Sequence, residues 1–172
     1  GFPPLLTIQA AINRAHEGNY IYVYPGTYAP INVDVNVKIL SMPDLGDAAI
    51  SQTVISGIGF SDTSSVIFSG VDSLAELKGF TITGGSASQG AGIHLINSSP
   101  VLEKLVIYDN NTTITGGLGG GIYCINSSPI INKVTIADNF GTVGGGIYIN
   151  DQSIPTIINS IIWNNAPTDA QQ

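Results

Sequence analysis

Hydrophobic and polar residues alternate with a period of two along the second half of the chain, and the alternation recurs in three similar segments. The segments are GAGIHLINSSPVLEKLVIYDNN from Gly90, GGGIYCINSSPIINKVTIADNF from Gly119 and GGGIYINDQSIPTIINSIIWNN from Gly144. A partial fourth copy, LKGFTITGG, begins at Leu77. Alternation of this kind predicts strands.

The repeat length indicates how the strands are arranged. The equivalent prolines Pro100, Pro129 and Pro155 are 29 and then 26 residues apart. This period is too short for a repeated pair of helices, but it fits three short strands and three turns. The sequence therefore predicts an all-β, right-handed parallel β-helix with three strands per coil and about six coils.

Stacking the copies places equivalent side chains in columns, with rungs about 4.8 Å apart. The alternation predicts four inward columns: Ile93, Ile122 and Ile147; Leu95, Cys124 and Ile149; Leu102, Ile131 and Ile157; and Ile107, Ile136 and Ile162. His94, Tyr123 and Tyr148 lie between two inward columns and are predicted to point outward.

Glycine and asparagine mark the corners of each copy. The glycine triplets at 119–121 and 144–146 suit tight turns and close backbone approach. Two sets of asparagines occupy equivalent corners, and we expect their amides to bond from coil to coil. These sets are Asn97, Asn126 and Asn150, and Asn110, Asn139 and Asn165.

The first half begins differently. The segment TIQAAINRAHEG predicts an amphipathic helix that ends at Gly18 and buries one face, formed by Ile8, Ala11, Ile12 and Ala15. Such a helix would cover the first coil, and the alternating segment YIYVYPGTY would follow as a strand. Further strands are predicted from Val35, Thr53 and Ser64, and a loop over Pro43–Ala49.

We therefore expect one domain over residues 1–172. It comprises a cap helix at 1–18, irregular early coils at 19–76, regular repeats at 77–165 and a tail at 166–172.

The start of the chain resembles a known family. TIQAAINRAHEGNYIYVYPGTY is similar to the cap and first strand of secreted bacterial right-handed β-helix repeat proteins, and the later NSSP copies resemble repeats of the same pectate-lyase-like superfamily. That superfamily contains lyases, hydrolases, adhesins and non-catalytic surface proteins. The resemblance thus implies the fold and an extracellular or cell-surface location, but no single activity.

Composition narrows the partners. The formal net charge is −7, with only five basic residues scattered along the sequence, so nucleic acids and anionic membrane surfaces are not expected ligands. No apolar run reaches the roughly 18 residues that a membrane-spanning helix needs. The lone cysteine, Cys124, is predicted to be a small buried apolar residue.

Candidate catalytic groups are few. Asp109 and Asp138 are equivalent residues that could form a carboxylate pair or a weak Ca²⁺ site, but they occupy a corner where Asp and Asn interchange. The Asp-Asp, Gly-His-Gly and Arg-x-Lys segments of the superfamily's hydrolases do not occur, and no arginine follows Arg14. We expect no catalytic residues and no cofactor, with Ca²⁺ as the only alternative.

Two surfaces remain as candidate binding sites. His94, Tyr123 and Tyr148 could stack on sugar rings or contact a partner chain. The last coil ends at Ile161, Ile162, Trp163, Asn164 and Asn165 with only a short tail after it, so either the coils continue or a second subunit covers an open edge.

The sequence thus predicts a non-catalytic extracellular structural or surface module. It would form a homo-oligomer or filament through the last coil or a flank, unless it belongs to a larger β-helix chain. The alternative is a polysaccharide-binding or polysaccharide lyase- or hydrolase-like fragment.

Overall fold

The computed structural model describes residues 5–42, 48–112, 115–167 and 170–171. Within these ranges it contains two short helices, α1 (Ile8–Ile12) and α2 (Ala48–Gln52), and twenty strands. The first ten strands are β1 (Tyr20–Val23), β2 (Gly26–Tyr28), β3 (Ile31–Val33), β4 (Lys38–Ser41), β5 (Thr53–Ser56), β6 (Val66–Ser69), β7 (Glu76–Lys78), β8 (Thr81–Thr83), β9 (Ser86–Ala87) and β10 (Ile93–Ile96). The remaining ten are β11 (Val101–Glu103), β12 (Val106–Tyr108), β13 (Asn111–Thr112), β14 (Ile122–Ile125), β15 (Ile130–Asn132), β16 (Thr135–Ala137), β17 (Ile147–Ile149), β18 (Thr156–Ile158), β19 (Ile161–Trp163) and β20 (Ala170–Gln171).

Three six-stranded sheets form the sides of a parallel β-helix. Sheet A has the order β1-β4-β7-β11-β15-β18, sheet B the order β2-β5-β8-β12-β16-β19, and sheet C the order β3-β6-β10-β14-β17-β20. The chain visits A, B and C in turn, and each strand pairs in parallel with the equivalent strand of the next coil. The prediction of three strands per coil is therefore confirmed.

The strand register is the one that the repeat predicted. Ile93 pairs with Ile122, which pairs with Ile147, and the columns of Leu102 and Ile107 align in the same way. Inward side chains are fully buried in the middle coils. Burial decreases at the last members, Ile149, Ile157 and Ile162, because these residues lie in the last two coils.

The early coils are more regular than predicted. Their strands, β1 to β6, join the same three sheets as the later copies, although their sequences do not repeat. Two buried phenylalanines, Phe68 and Phe80, fill the core there.

The cap helix is shorter than predicted. It begins after the N-cap Thr7, whose hydroxyl accepts a hydrogen bond from the Ala10 amide, and it ends at Ile12 rather than near Gly18. Two contacts turn the chain away from the helix: the Asn19 side chain accepts from the His16 amide, and the Gly18 amide donates to the Asn36 carbonyl. The prediction that Ile8 and Ile12 pack on the core is confirmed.

Two other boundaries differ from the sequence-based prediction. The predicted loop over 43–49 lies outside the described residues at 43–47, but its last two residues belong to α2, which packs beside β5 and β8. The predicted tail contains β20, which pairs with β17 because the chain returns to sheet C after Asn165, as in the preceding coils. No helix among the described residues is both long and apolar enough to cross a membrane.

Candidate functional site

The aromatic column, which comprises His94, Tyr123 and Tyr148, lies on sheet C. Its members pair in register, and their ring centroids are 5.1 Å apart for His94–Tyr123 and 5.4 Å for Tyr123–Tyr148. The column that the sequence predicted therefore exists as a continuous contact.

The column is not an open platform. Tyr123 is only 5% exposed, and His94 and Tyr148 are half-buried. Burial lowers the pKa of His94, and burial with the neighbouring Tyr148 and Cys124 raises the pKa of Tyr123. The turn before each strand passes close to the column: a Cβ added at Gly119 would lie 3.0 Å from the Tyr123 Cα. These features leave little ring area for stacking on a sugar.

The carboxylate pair sits in tight turns. Asp109 and Asp138 have left-handed backbones, with φ of 53° and 54°, and Asn164 has the same conformation in the next copy. Asp and Asn tolerate this conformation better than other residues with side chains do, which explains why they interchange here.

These carboxylates are exposed, and Asp138 Oδ1 already accepts a hydrogen bond of 2.5 Å from Asn164 Nδ2. No group of three or more His, Cys, Asp or Glu residues that could hold a metal occurs within the described ranges. Asp109 and Asp138 could supply hard oxygen ligands, so Ca²⁺ binding at this pair stays a prediction.

The residues that directly follow these turn positions form a buried amide ladder: Asn110, Asn139 and Asn165. Asn110 Nδ2 donates to Asn139 Oδ1 at 2.9 Å, and Asn139 Nδ2 donates to Asn165 Oδ1 at 2.9 Å. Each amide also donates to a carbonyl of the preceding coil. The ladder therefore joins successive coils, as predicted, and it gives hydrogen-bond partners to polar groups that are buried from water.

The predicted assembly edge divides into two kinds of residue. Asn164 and Asn165 are hydrogen-bonded within the coil stack, and Asn165 is buried. Ile161 and Trp163 are 61% and 69% exposed, and Ile162 is half-buried. Three more exposed isoleucines lie beside them: Ile154, Ile157 and Ile158. We call the exposed set of Ile154, Ile157, Ile158, Ile161 and Trp163 the last-coil edge.

A second aromatic surface was missed by the sequence reasoning. Tyr20, Tyr22 and Tyr24 occupy alternate positions along and just after β1, and they are 56%, 55% and 65% exposed. The alternation in YIYVY contained this information, because the tyrosines occupy the outward positions of a strand whose valine points inward. We call these three residues the tyrosine row.

Comparison with known proteins supports the fold and its handedness. A family model described as a right-handed β-helix region matches residues 36–170. No curated protein and no solved structure shows significant similarity to the chain. The match covers most of the chain and agrees with the three-sheet coil. The protein belongs to the right-handed β-helix family.

Proposed function

We propose that this chain is a non-catalytic extracellular β-helix module with a structural role, and that it self-associates through the last-coil edge. The repeated asparagines and aspartates at the corners of the coils support the non-catalytic part of this proposal. The buried asparagines bond from coil to coil, and Asp109 and Asp138 occupy left-handed turns. The residues that repeat most regularly are thus explained by the needs of the fold.

An extracellular location is part of the proposal. Domains of this family are often extracellular. Only 10% of the residues are charged. The lone cysteine, Cys124, is buried, and this burial raises the pKa of its thiol to about 12. A thiol held in this state has little reactivity, so it suits an oxidising environment.

The last-coil edge is the observation that carries self-association. Its five large apolar side chains lie on or beside β18 and β19, which are the last strands in their sheets. A strand edge with exposed apolar side chains favours pairing with another chain.

The other end of the coil stack is covered. Ile8 and Ile12 of α1 are 3% and 2% exposed and pack on the first coil. A head-to-tail contact would have to displace this helix, so we expect two last-coil edges to meet around a two-fold axis. Such a contact closes as a dimer, and a filament would need a second contact on a flank.

Sedimentation equilibrium on the purified chain tests this proposal. Fully burying a large apolar side chain contributes about 1.5–3 kcal/mol, while association costs several kcal/mol, so we expect a Kd on the order of micromolar. Ile161→Lys should weaken the dimer at least tenfold, since it places a charge in the contact. Ile58→Lys is the matched control, because Ile58 is 72% exposed and lies outside the edge. A strictly monomeric wild-type chain would refute self-association.

Polysaccharide binding is the second candidate, and the exposed tyrosine row is the observation that favours it. Catalysis on a polysaccharide can be tested separately. We expect no unsaturated product when the chain is incubated with polyuronate and added Ca²⁺. Release of such a product would overturn the non-catalytic proposal.

A further inference from the structure

The tyrosine row is an aromatic surface that the core does not require. Tyr20 and Tyr22 have ring centroids 6.2 Å apart and nearly parallel planes, at 19°. The row projects from sheet A at the capped end of the coil stack. Single exposed aromatic side chains are common on protein surfaces. It is unusual for three of them to be aligned and more than half exposed on a surface that has no binding role.

A groove adjoins the row on sheet A. Its volume is about 360 Å³, and its lining includes Tyr20, Leu40, Lys38, Glu76 and Lys78. Lys38 Nζ lies 5.6 Å from the centroid of the Tyr20 ring. Lys104 also lines the groove, so three of the five basic residues of the chain come together here, although they are scattered in the sequence.

Two of these lysines, Lys38 and Lys78, face carboxylates. Lys38 Nζ is 3.5 Å from Glu76, and Lys78 Nζ is 4.0 Å from Glu76 and 3.2 Å from Glu103. We call Lys38, Glu76, Lys78 and Glu103 the charge ladder. The sign alternates along this chain of ion pairs, from Lys38 on β4 through Glu76 and Lys78 on β7 to Glu103 on β11.

The charge ladder decides which class of glycan fits. A polyanion would find Lys38 and Lys78 already paired with carboxylates, and it would approach a chain with a net charge of −7. A neutral sugar presents hydroxyl groups that both donate and accept hydrogen bonds, so adjacent ammonium and carboxylate groups suit it. Partly exposed ion pairs are weak, and they can therefore rearrange around a ligand at little cost.

We propose that the tyrosine row and the charge ladder together bind a neutral polysaccharide. Sugar rings stack on Tyr20, Tyr22 and Tyr24, where the apolar faces of both partners are removed from water. Sugar hydroxyls exchange hydrogen bonds with Lys78 and Glu76. The proposal deepens the second candidate function above, and it places the glycan on sheet A rather than on the aromatic column of sheet C.

Affinity electrophoresis on native gels tests the proposal, with hydroxyethyl cellulose and galactomannan as neutral probes and polygalacturonate as the acidic probe. We expect at least one neutral probe to retard the wild-type chain and polygalacturonate to retard it less. Tyr20→Ala and Tyr22→Ala should each weaken that retardation about five- to tenfold. Tyr108→Ala is the matched control, because Tyr108 is a 41% exposed tyrosine on sheet B and should leave retardation unchanged.

Each other result overturns the proposal. No retardation by either neutral probe would refute neutral-glycan binding, and stronger retardation by polygalacturonate would assign the site to acidic glycans. Equal retardation of wild type and Tyr22→Ala would move the site elsewhere.

Melting temperatures of the variants verify that each one folds. Sedimentation of the same preparations separates this test from the proposed self-association. If the tyrosine variants weakened the dimer but not retardation, the tyrosine row would be a contact between copies.

Discussion

At the scale of single residues, Asn139 shows how the coils are joined. Its Nδ2 donates to the carbonyls of Ile107 and Ala137 and to Asn165 Oδ1, and its Oδ1 accepts from Asn110 Nδ2. The side chain is 1% exposed, so water cannot replace these partners.

Asn139→Ala should therefore destabilise the fold by about 3 kcal/mol, because it leaves several buried polar groups without hydrogen bonds. Asn132→Ala is the matched control. Its side chain also bonds an asparagine of the next coil, Asn159, but on an exposed surface, and the loss should stay below about 1 kcal/mol. Urea unfolding of both variants measures the difference. Equal losses would mean that the buried ladder contributes no more than the exposed one.

His94 provides a pH-dependent test of the aromatic column. Burial lowers its pKa below the ordinary 6.5, so the folded chain holds this imidazole neutral. As the pH falls below about 6.5, this histidine takes up a proton in the unfolded chain before it does so in the folded chain. The free energy of unfolding therefore decreases until the pH has fallen through the folded pKa.

As the pH falls below about 6.5, the unfolding free energy of wild type should thus decrease by more than that of His94→Tyr. This variant carries at position 94 the tyrosine that positions 123 and 148 of the same column already have. The slope cannot exceed about 1.4 kcal/mol per pH unit for one proton. Parallel pH profiles for the two proteins would contradict the burial of His94.

The corner residues could be predicted from the sequence, but the accessibility of the aromatic column could not. Asn110, Asn139 and Asn165 recur at the repeat spacing, so their stacking follows from the period alone. The Tyr123 ring lies between the rings of His94 and Tyr148, and the turn at Gly119 passes close to its backbone. The alternation pattern predicts that these residues share a column, but it contains no information about how closely the rings and the turn pack.

At the scale of elements, the five-residue helix α1 covers the apolar end of the first coil. The TIQAAI pattern predicts its apolar face, because Ile8 and Ile12 are four residues apart. Its end could not be predicted from that pattern, since after Ile12 the amides of Arg14 and Ala15 donate to carbonyls only three residues back, and the helical bonding stops.

Ile12→Ala should cost about 3 kcal/mol, because it leaves a cavity between α1 and the strands β1 and β3. Leu6→Ala is the control at the same end of the chain, where the side chain is 92% exposed, and its effect should lie within about 0.5 kcal/mol. Thermal melts of the two variants make the comparison. If Ile12→Ala melted with wild type, α1 would not act as a cap.

At the scale of the whole molecule, the fold gathers residues that the sequence separates. Lys38, Lys78 and Lys104 line one groove, although no cluster of basic residues is visible along the chain. The regular repeats reveal the register of the later coils. The early coils do not repeat, so the alignment of Lys38 with Glu76 could not be predicted without the structure.

The same coil stack presents different surfaces at its two ends. The first coil is covered by α1, while the last coil exposes Ile161 and Trp163 beside the outer edges of β18 and β19. The proposed association through the last coil, as a closed dimer rather than an open filament, rests on this asymmetry.

Hydrogen–deuterium exchange of the amides in β18 and β19 tests self-association through the last-coil edge most directly. The wild-type chain is compared in dilute and in concentrated solution, with β1 and β4 at the other end of sheet A as the internal reference. We predict slower exchange across residues 156–163 in concentrated solution and no change in β1 and β4, because only the last-coil edge becomes covered. Exchange at 156–163 that is the same at both concentrations would contradict self-association through this edge.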